Sequence, residues 1–262
     1  MARAEIGIFG GSGFYSFLEG VETVELDTPY GKPSAPIAIG ELGGKRVAFL
    51  PRHGVGHELP PHRIPYRANA WALRELGVRR IVGPCASGAL RPELALGELV
   101  VCDQFVDRTW GRGDTFYDGP RTTHVSAADP YCPDLRRLLV ETATELDIPA
   151  RDGGTVVVVQ GPRFSTRAES HWFRSLGWDV VNMTAYPEGM LARELELCYA
   201  TIAMVTDYDV GVEERPPVTA ADVVRVFEEA GARLRELLLA VIPKIDPQPE
   251  DVCATALREA SL

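Results

Sequence analysis

Apolar residues along this chain come in short, nearly continuous runs broken by glycine, proline and charge, and between those runs the apolar positions switch to a spacing of three and four. The continuous runs predict buried strands: "EIGIFGG" (5–11) running into a glycine loop, "RVAFLPRHG" (46–54), "RRIVGPCASGAL" (79–90) as a strand followed by a small-residue loop, and "GELVVCDQFVD" (97–107) as one strand. Further strands are predicted in "GGTVVVVQGPRFST" (153–166), "VVNMT" (180–184) and "CYATIAMVTDYD" (198–209). The helical spacing predicts helices in 65–78, 133–148, 169–177, 187–197 and 219–245, the last with Thr219 as its N-cap. Strands alternating with helices predict an α/β fold, a central mixed sheet flanked by helices. No repeat or linker interrupts the pattern, so residues 1–262 read as one domain, with acidic "VEERPP" (Val212 to Pro217) as a loop before the last helix.

Composition narrows the function. A net charge of −10 argues against a general nucleic-acid or anionic-membrane partner. No run is apolar enough to span a bilayer, and the N-terminus enters a strand without a signal-peptide pattern. The five cysteines are dispersed and form no CxxC pair, which suggests reduced thiols in a cytoplasmic protein.

The polar residues gather where strands end: Ser12 after the first, Arg52 and His53 after "VAFL", Cys85, Ala86 and Ser87 after "RIVG", Ser165 after "VVVVQGPRF", Thr184 after "VVN", and Asp207 and Asp209 after "ATIAMV". Ligands of α/β sheets collect outside the carboxyl ends of strands. "GGSG" (10–13) suits an oxyanion through its backbone N–H groups, though it matches neither a Walker loop nor GxGxxG. Arg52 offers a planar fork to two phosphate oxygens, with hydroxyls completing the shell. The histidines of "PRHGVGHELPPHR" raise the question of a metal, but His53 and His57 lie in a loop with no HExxH or acidic partner. No metal site is therefore expected, and Arg52–His53 reads as an anion clamp, with His57 and His62 as loop hydrogen-bonding groups.

"IGIFGGSGF", "DTPYGKPS", "PRHGVGHELPPHRIPYRAN", "DQFVDRT", "HVSAADPYCP", "QGPRFSTRAES", "NMTAYPEGMLARE" and "ATIAMVTDYD" together resemble the methylthioadenosine phosphorylase branch of the purine nucleoside phosphorylases, in order and over nearly the whole chain. The resemblance implies a homotrimeric pentosyltransferase that uses inorganic phosphate as co-substrate and needs no cofactor. It implies Ser12, Arg52, His53, Cys85, Ala86 and Thr184 at the phosphate, Met183 beneath the ribose, and Phe164 and Ser165 beside the base. It further implies Asp207, Tyr208 and Asp209 at adenine, Ala220, Val223 and Val224 around the 5′-substituent, and His124 lent to a neighbouring subunit. Many relatives have threonine where this chain has Cys85, a poorer donor, so the backbone N–H or Ser87 is expected to supply that contact. Adenine leaves readily only if N7 receives a proton or hydrogen bond, so one of Asp207 and Asp209 is expected to have a raised pKa. Asp207 is favoured at N7. The alternatives are a phosphorylase for inosine, guanosine or a 5′-halogenated adenosine, a nucleosidase that uses water, and a non-catalytic nucleoside-binding protein.

Overall fold

The computed structural model describes residues 3–10, 19–120, 122–210, 212, 219–248, 250–258 and 260, with backbone only for 221–224 and 227–229. Among the described residues, eleven strands form one sheet. They are β1 (Ile6–Gly10), β2 (Glu19–Val24), β3 (Ile37–Leu42), β4 (Lys45–Pro51), β5 (Arg80–Ala89), β6 (Leu99–Val101), β7 (Gln104–Arg108), β8 (Ala150–Asp152), β9 (Thr155–Val159), β10 (Val180–Asn182) and β11 (Cys198–Tyr208). Five α-helices accompany them among the described residues: α1 (Tyr66–Glu75), α2 (Pro133–Glu145), α3 (Arg167–Ser175), α4 (Ala185–Glu194) and α5 (Ala220–Val241). The main path runs β2-β3-β4-β1-β5-β10-β9-β7, and β11 pairs with the other edge of β5 and carries β6 and then β8. Parallel and antiparallel pairs both occur, as in β1 with β4 and β3 with β4. Among the described residues no helix is long and apolar enough to cross a membrane.

The central strands, β1, β5, β10 and most of β11, are buried on both faces, which is why they read as unbroken apolar runs. Successive residues of β11 alternate between two cores. Tyr199, Ala203 and Val205 join the layer under α1 and α4, whereas Ala200, Ile202 and Met204 join the layer under α2 and α5. Helix α3 starts with a reciprocal cap: Thr166 Oγ1 accepts from the Glu169 N–H and the Glu169 carboxylate accepts from the Thr166 N–H. Thr219 lies just before α5.

Three expectations need correction. The stretch 97–107 is two strands, because the chain turns at Cys102–Asp103 to leave β11's edge and join β9. Strands β2 and β3 and the short β8 were not anticipated. Strand β2 is exposed along nearly its whole length, so it carries no apolar signal. Cys85, Ala86 and Ser87 do not form a loop after a strand; they lie within β5, which continues to Ala89.

That continuation shapes the molecule. Along one edge, β5 pairs with β11 from Arg80 to Ala89, with a bulge between Val205 and Asp207. Along the other, β1 covers only Arg80 to Val82, and β10 covers only Gly88 and Ala89. Between them the edge of β5 has no partner strand among the described residues. The sheet splits there. Pro84 sits in this gap, where its missing N–H breaks no ladder bond.

Candidate active site

The split opens into a cavity of about 950 Å³. Its floor is the unpaired stretch of β5, including Pro84, Cys85, Ala86 and Ser87. Residues at the ends of β4 (Arg52, His53), β10 (Asn182 to Thr184) and β11 (Thr206, Asp207, Asp209) complete the polar wall. The N–H and C=O of one strand residue face the same edge, and neighbours alternate. The Pro84 carbonyl faces the gap, since it accepts from Arg52 Nη1 at 2.7 Å. Ala86, two residues on, therefore turns its N–H to the gap. The Ser87 carbonyl faces β11, where it lies 3.4 Å from Thr206 Oγ1.

Arg52 lines the cavity, but its fork is not offered to a ligand. Nε donates to Glu188 Oε2 at 2.9 Å and Nη2 to Glu188 Oε1 at 2.8 Å. Nη2 also reaches the Phe9 carbonyl at 3.2 Å. Both side chains are buried, 4% and 3% exposed. Burial by itself lowers the Arg52 pKa, but Glu188 more than offsets it and the guanidinium stays charged. Tyr199 donates its hydroxyl to Glu188 Oε1 at 2.7 Å. The expected bidentate phosphate clamp is thus corrected: the fork holds Glu188, and among the described residues one Nη1 hydrogen meets no acceptor.

His53 is corrected in the same way. Its Nδ1 lies 2.9 Å from the Leu59 carbonyl, so Nδ1 carries a proton and donates. Burial, together with the charge of Arg52, lowers its pKa to about 4. The ring is neutral at physiological pH, with Nε2 an acceptor rather than a cationic anchor. His57 stacks on it, centroids 4.4 Å apart, and is exposed, as is His62.

The sulfur of Cys85 is buried and accepts from Asn182 Nδ2 at 3.0 Å. Burial raises its pKa, so it stays a thiol. Thr184 is 5% exposed, and its side chain caps no helix. Tyr186 just beyond it is non-helical, so α4 does not present a regular N-terminus to the cavity. Met183 lines the wall, held close by Gly161, whose added Cβ would lie 2.6 Å from Sδ.

Phe164, Ser165 and Ala220 also line the cavity. Asp207 Oδ1 accepts from Thr206 Oγ1 at 2.8 Å. Asp207 packs over Gly88, where an added Cβ would meet Oδ2 at 2.9 Å. Asp209 is 3% exposed. Burial raises its pKa, partly countered by the neighbouring polar groups of Ser170, Ser165 and the Val210 N–H. Ser165 Oγ is close to that carboxylate but makes no well-formed bond, and Asp209 Oδ2 has no partner among the described residues. Two polar atoms are thus left unsatisfied beside the cavity, an arrangement that a ligand relieves.

Other expected residues fall elsewhere. Tyr208 is not in the cavity wall; it packs half-buried against the apolar core. His124 is exposed and away from this cavity, its backbone N–H donating to the Ala260 carbonyl at 2.7 Å. Gly11, Ser12 and Gly13 of the glycine loop and residues 213–217 lie outside the described residues, as do the side chains of Val223 and Val224. Sequence reasoning missed Glu188, Tyr199 and Asn182. Glu188 sits in a helical stretch where a glutamate ordinarily faces solvent, and only its pairing across 136 residues marks it.

A sequence profile of the Phosphorylase superfamily matches residues 5–243. The chain is 54% identical over 259 residues to a purine nucleoside phosphorylase of Streptomyces coelicolor, covering 96% of this chain and 92% of the other. It is 53% identical over 254 residues to an S-methyl-5′-thioadenosine phosphorylase of Pyrococcus furiosus, covering 97% and 98%. A crystal structure of a methylthioadenosine phosphorylase from an antarctic soil metagenomic library superposes with a TM-score of 0.94 at 40% identity, over 100% of this chain and 93% of that one. Fold, strand-end site and sequence agree, and the chain belongs to the purine nucleoside phosphorylase and methylthioadenosine phosphorylase family of the phosphorylase superfamily.

Proposed function

We infer that this protein cleaves 5′-methylthioadenosine with inorganic phosphate, giving adenine and 5-methylthioribose 1-phosphate. The observation that carries the reading is one cavity with an acid whose pKa is raised by burial, Asp209, and the open edge of β5. Phosphate sits against the Ala86 N–H, Thr184 and the spare Nη1 hydrogen of Arg52. His53 Nε2 accepts from a protonated phosphate oxygen. Met183 supports the sugar, and Phe164 and Ser165 border the base.

Breaking the glycosidic bond builds positive charge on the sugar. The bound anion stabilises that charge and then attacks C1′, an electrostatic and proximity effect. The leaving base needs a proton at N7. Burial favours the protonated form of Asp209, and we assign Asp209 rather than Asp207 as the donor toward N7. Asp207, held by Thr206, accepts from the 6-amino group. A carboxylate facing position 6 repels a 6-oxo group, which favours adenine.

The protein acts as a pentosyltransferase in the cytoplasm, a reading supported by five unpaired thiols. Its working form is a homotrimer in which His124 serves a neighbour's site. A single-domain organisation fits one sheet that draws strands from residues 6 to 208. The decisive experiment follows adenine release from methylthioadenosine with and without phosphate, beside inosine and guanosine. Release that needs phosphate and is fastest with methylthioadenosine is expected. Equal release without phosphate makes the protein a hydrolase, no release makes it a binding protein, and faster turnover of inosine removes the base assignment.

A further inference from the structure

Three of the five cysteines, far apart in sequence, meet in the fold. Cys132 immediately precedes α2, Cys198 opens β11, and Cys253 lies in the 3-10 turn Val252–Thr255. Asp251, which caps that turn, joins them. One ligand atom from each of the four lies within 4.8 Å of the others. We propose that Cys132, Cys198, Asp251 and Cys253 bind one zinc ion, which fastens the C-terminal segment to the central sheet.

Geometry, donor chemistry and charge support this. A tetrahedron with Zn–S bonds of about 2.3 Å has sulfur–sulfur edges of about 3.8 Å, so the cluster contracts only slightly to close on an ion. Three sulfurs and one carboxylate are a soft donor set, which selects zinc over magnesium or calcium. The three cysteines are at most 2% exposed, which suits a closed structural site. Three thiolates and a carboxylate around a divalent ion leave two negative charges. Arg80 is positioned to offset one of them: Nη1 is 3.3 Å from Cys132 Sγ and 2.7 Å from Asp251 Oδ2. Arg80 is itself anchored, Nε donating to the Asp246 carbonyl at 3.0 Å. This is the outer-shell contact that tunes metal ligands.

Binding displaces three thiol protons to solvent and changes no oxidation state. Cys198 Sγ lies 3.2 Å from Asp251 Oδ2 and the Cys253 N–H donates to Oδ1 at 3.0 Å. With Cys132 Sγ 3.5 Å from the same Oδ2, these contacts gather the four groups around Asp251. The tail so fastened continues to Ala260, whose carbonyl accepts from the His124 N–H. The ion therefore also steadies the segment around His124.

The test uses the full chain, purified without a metal-binding tag under reducing conditions. Elemental analysis should find about one zinc per chain. Titrating the metal-free protein with cobalt(II) should give thiolate-to-cobalt charge-transfer and tetrahedral ligand-field bands that saturate at about one equivalent. Cys198→Ser and Cys253→Ser should lose the charge-transfer band or bind far more weakly. Arg80→Lys should weaken cobalt binding roughly 10–100-fold. Cys102→Ser removes a buried thiol elsewhere and should leave the titration unchanged. If a ligand variant does not fold, the wild-type stoichiometry and spectrum still decide. Two wild-type results overturn the proposal: no thiolate–cobalt band with reduced protein, or a Cys132–Cys198 disulfide in protein isolated under the same conditions.

Discussion

Glu188→Gln is the sharpest test of how the phosphate side of the cavity is built. In the native protein the carboxylate accepts from Arg52 Nε at 2.9 Å, from Arg52 Nη2 at 2.8 Å and from the Tyr199 hydroxyl at 2.7 Å. Glutamine keeps one oxygen but turns an NH₂ toward a guanidinium N–H, so donor faces donor. The Arg52 cation then stays buried, 4% exposed, without its counter-charge. Breaking a buried pair this way costs about 3–5 kcal/mol. For a chain of this size that lowers the melting temperature by roughly 6 to 20 °C. Denaturant unfolding at fixed protein concentration measures it, since any oligomer makes stability concentration-dependent. Removing both charges, Arg52→Met with Glu188→Leu, should be less destabilising than Glu188→Gln alone, because no uncompensated charge remains. A Glu188→Gln protein within about 0.5 kcal/mol of wild type, the range of ordinary surface changes, would refute the assignment of Glu188 as the essential counter-ion.

Gly88→Ala puts a Cβ 2.9 Å from Asp207 Oδ2 and 3.1 Å from Val181 Cγ1, so the carboxylate must move. Displacements near 1 Å cost on the order of 10²-fold; kcat/KM for methylthioadenosine should fall by about that much while the KM for phosphate holds, and an unchanged kcat/KM excludes Asp207 from base recognition. Asp209→Asn should lower turnover by about 10²–10⁴-fold through loss of the proton donor. It should leave stability nearly unchanged, because it removes a carboxylate that burial disfavours; full activity in this variant, with activity lost in Asp207→Asn, returns the N7 role to Asp207. His53 is depressed from 6.5 to about 4, so its neutral form stabilises the fold above pH 6.5 and that contribution is lost as pH falls toward 4. Stability curves of wild type and His53→Gln should therefore diverge in slope between pH 6.5 and 4, and parallel curves there remove the depressed pKa.

What was legible in the sequence was what a run of neighbours encodes. The unbroken apolar runs located most core strands, and the polar residues at their ends located Arg52, Thr184, Asp207 and Asp209 in one cavity. What the chain brings together from afar was not legible. Glu188 reads as a surface glutamate of α4 until Arg52 is found against it. The cysteines look dispersed because Cys132, Cys198 and Cys253 meet only when the last turn docks on the start of β11. The stretch 84–88 resembles a loop because small residues and a proline are poor strand formers. It is a strand because β11 pairs with it throughout, and that pairing is a tertiary effect.

The gap in the edge of β5 also bears on self-association. An unpaired strand edge is ordinarily a template for another chain, and proteins guard such edges with charge, bulges or covering elements. Here the open stretch is Gly83 to Ser87, roughly 17 Å at about 3.3 Å per residue. It is closed at one end by β1 and at the other by β10, and Arg52 has already taken the Pro84 carbonyl. A foreign strand cannot lie along so short and walled a segment, but a small anion can. The protein can thus keep at Ala86 a backbone donor that meets no partner strand among the described residues, without the aggregation hazard that the same edge would carry at the rim of the sheet.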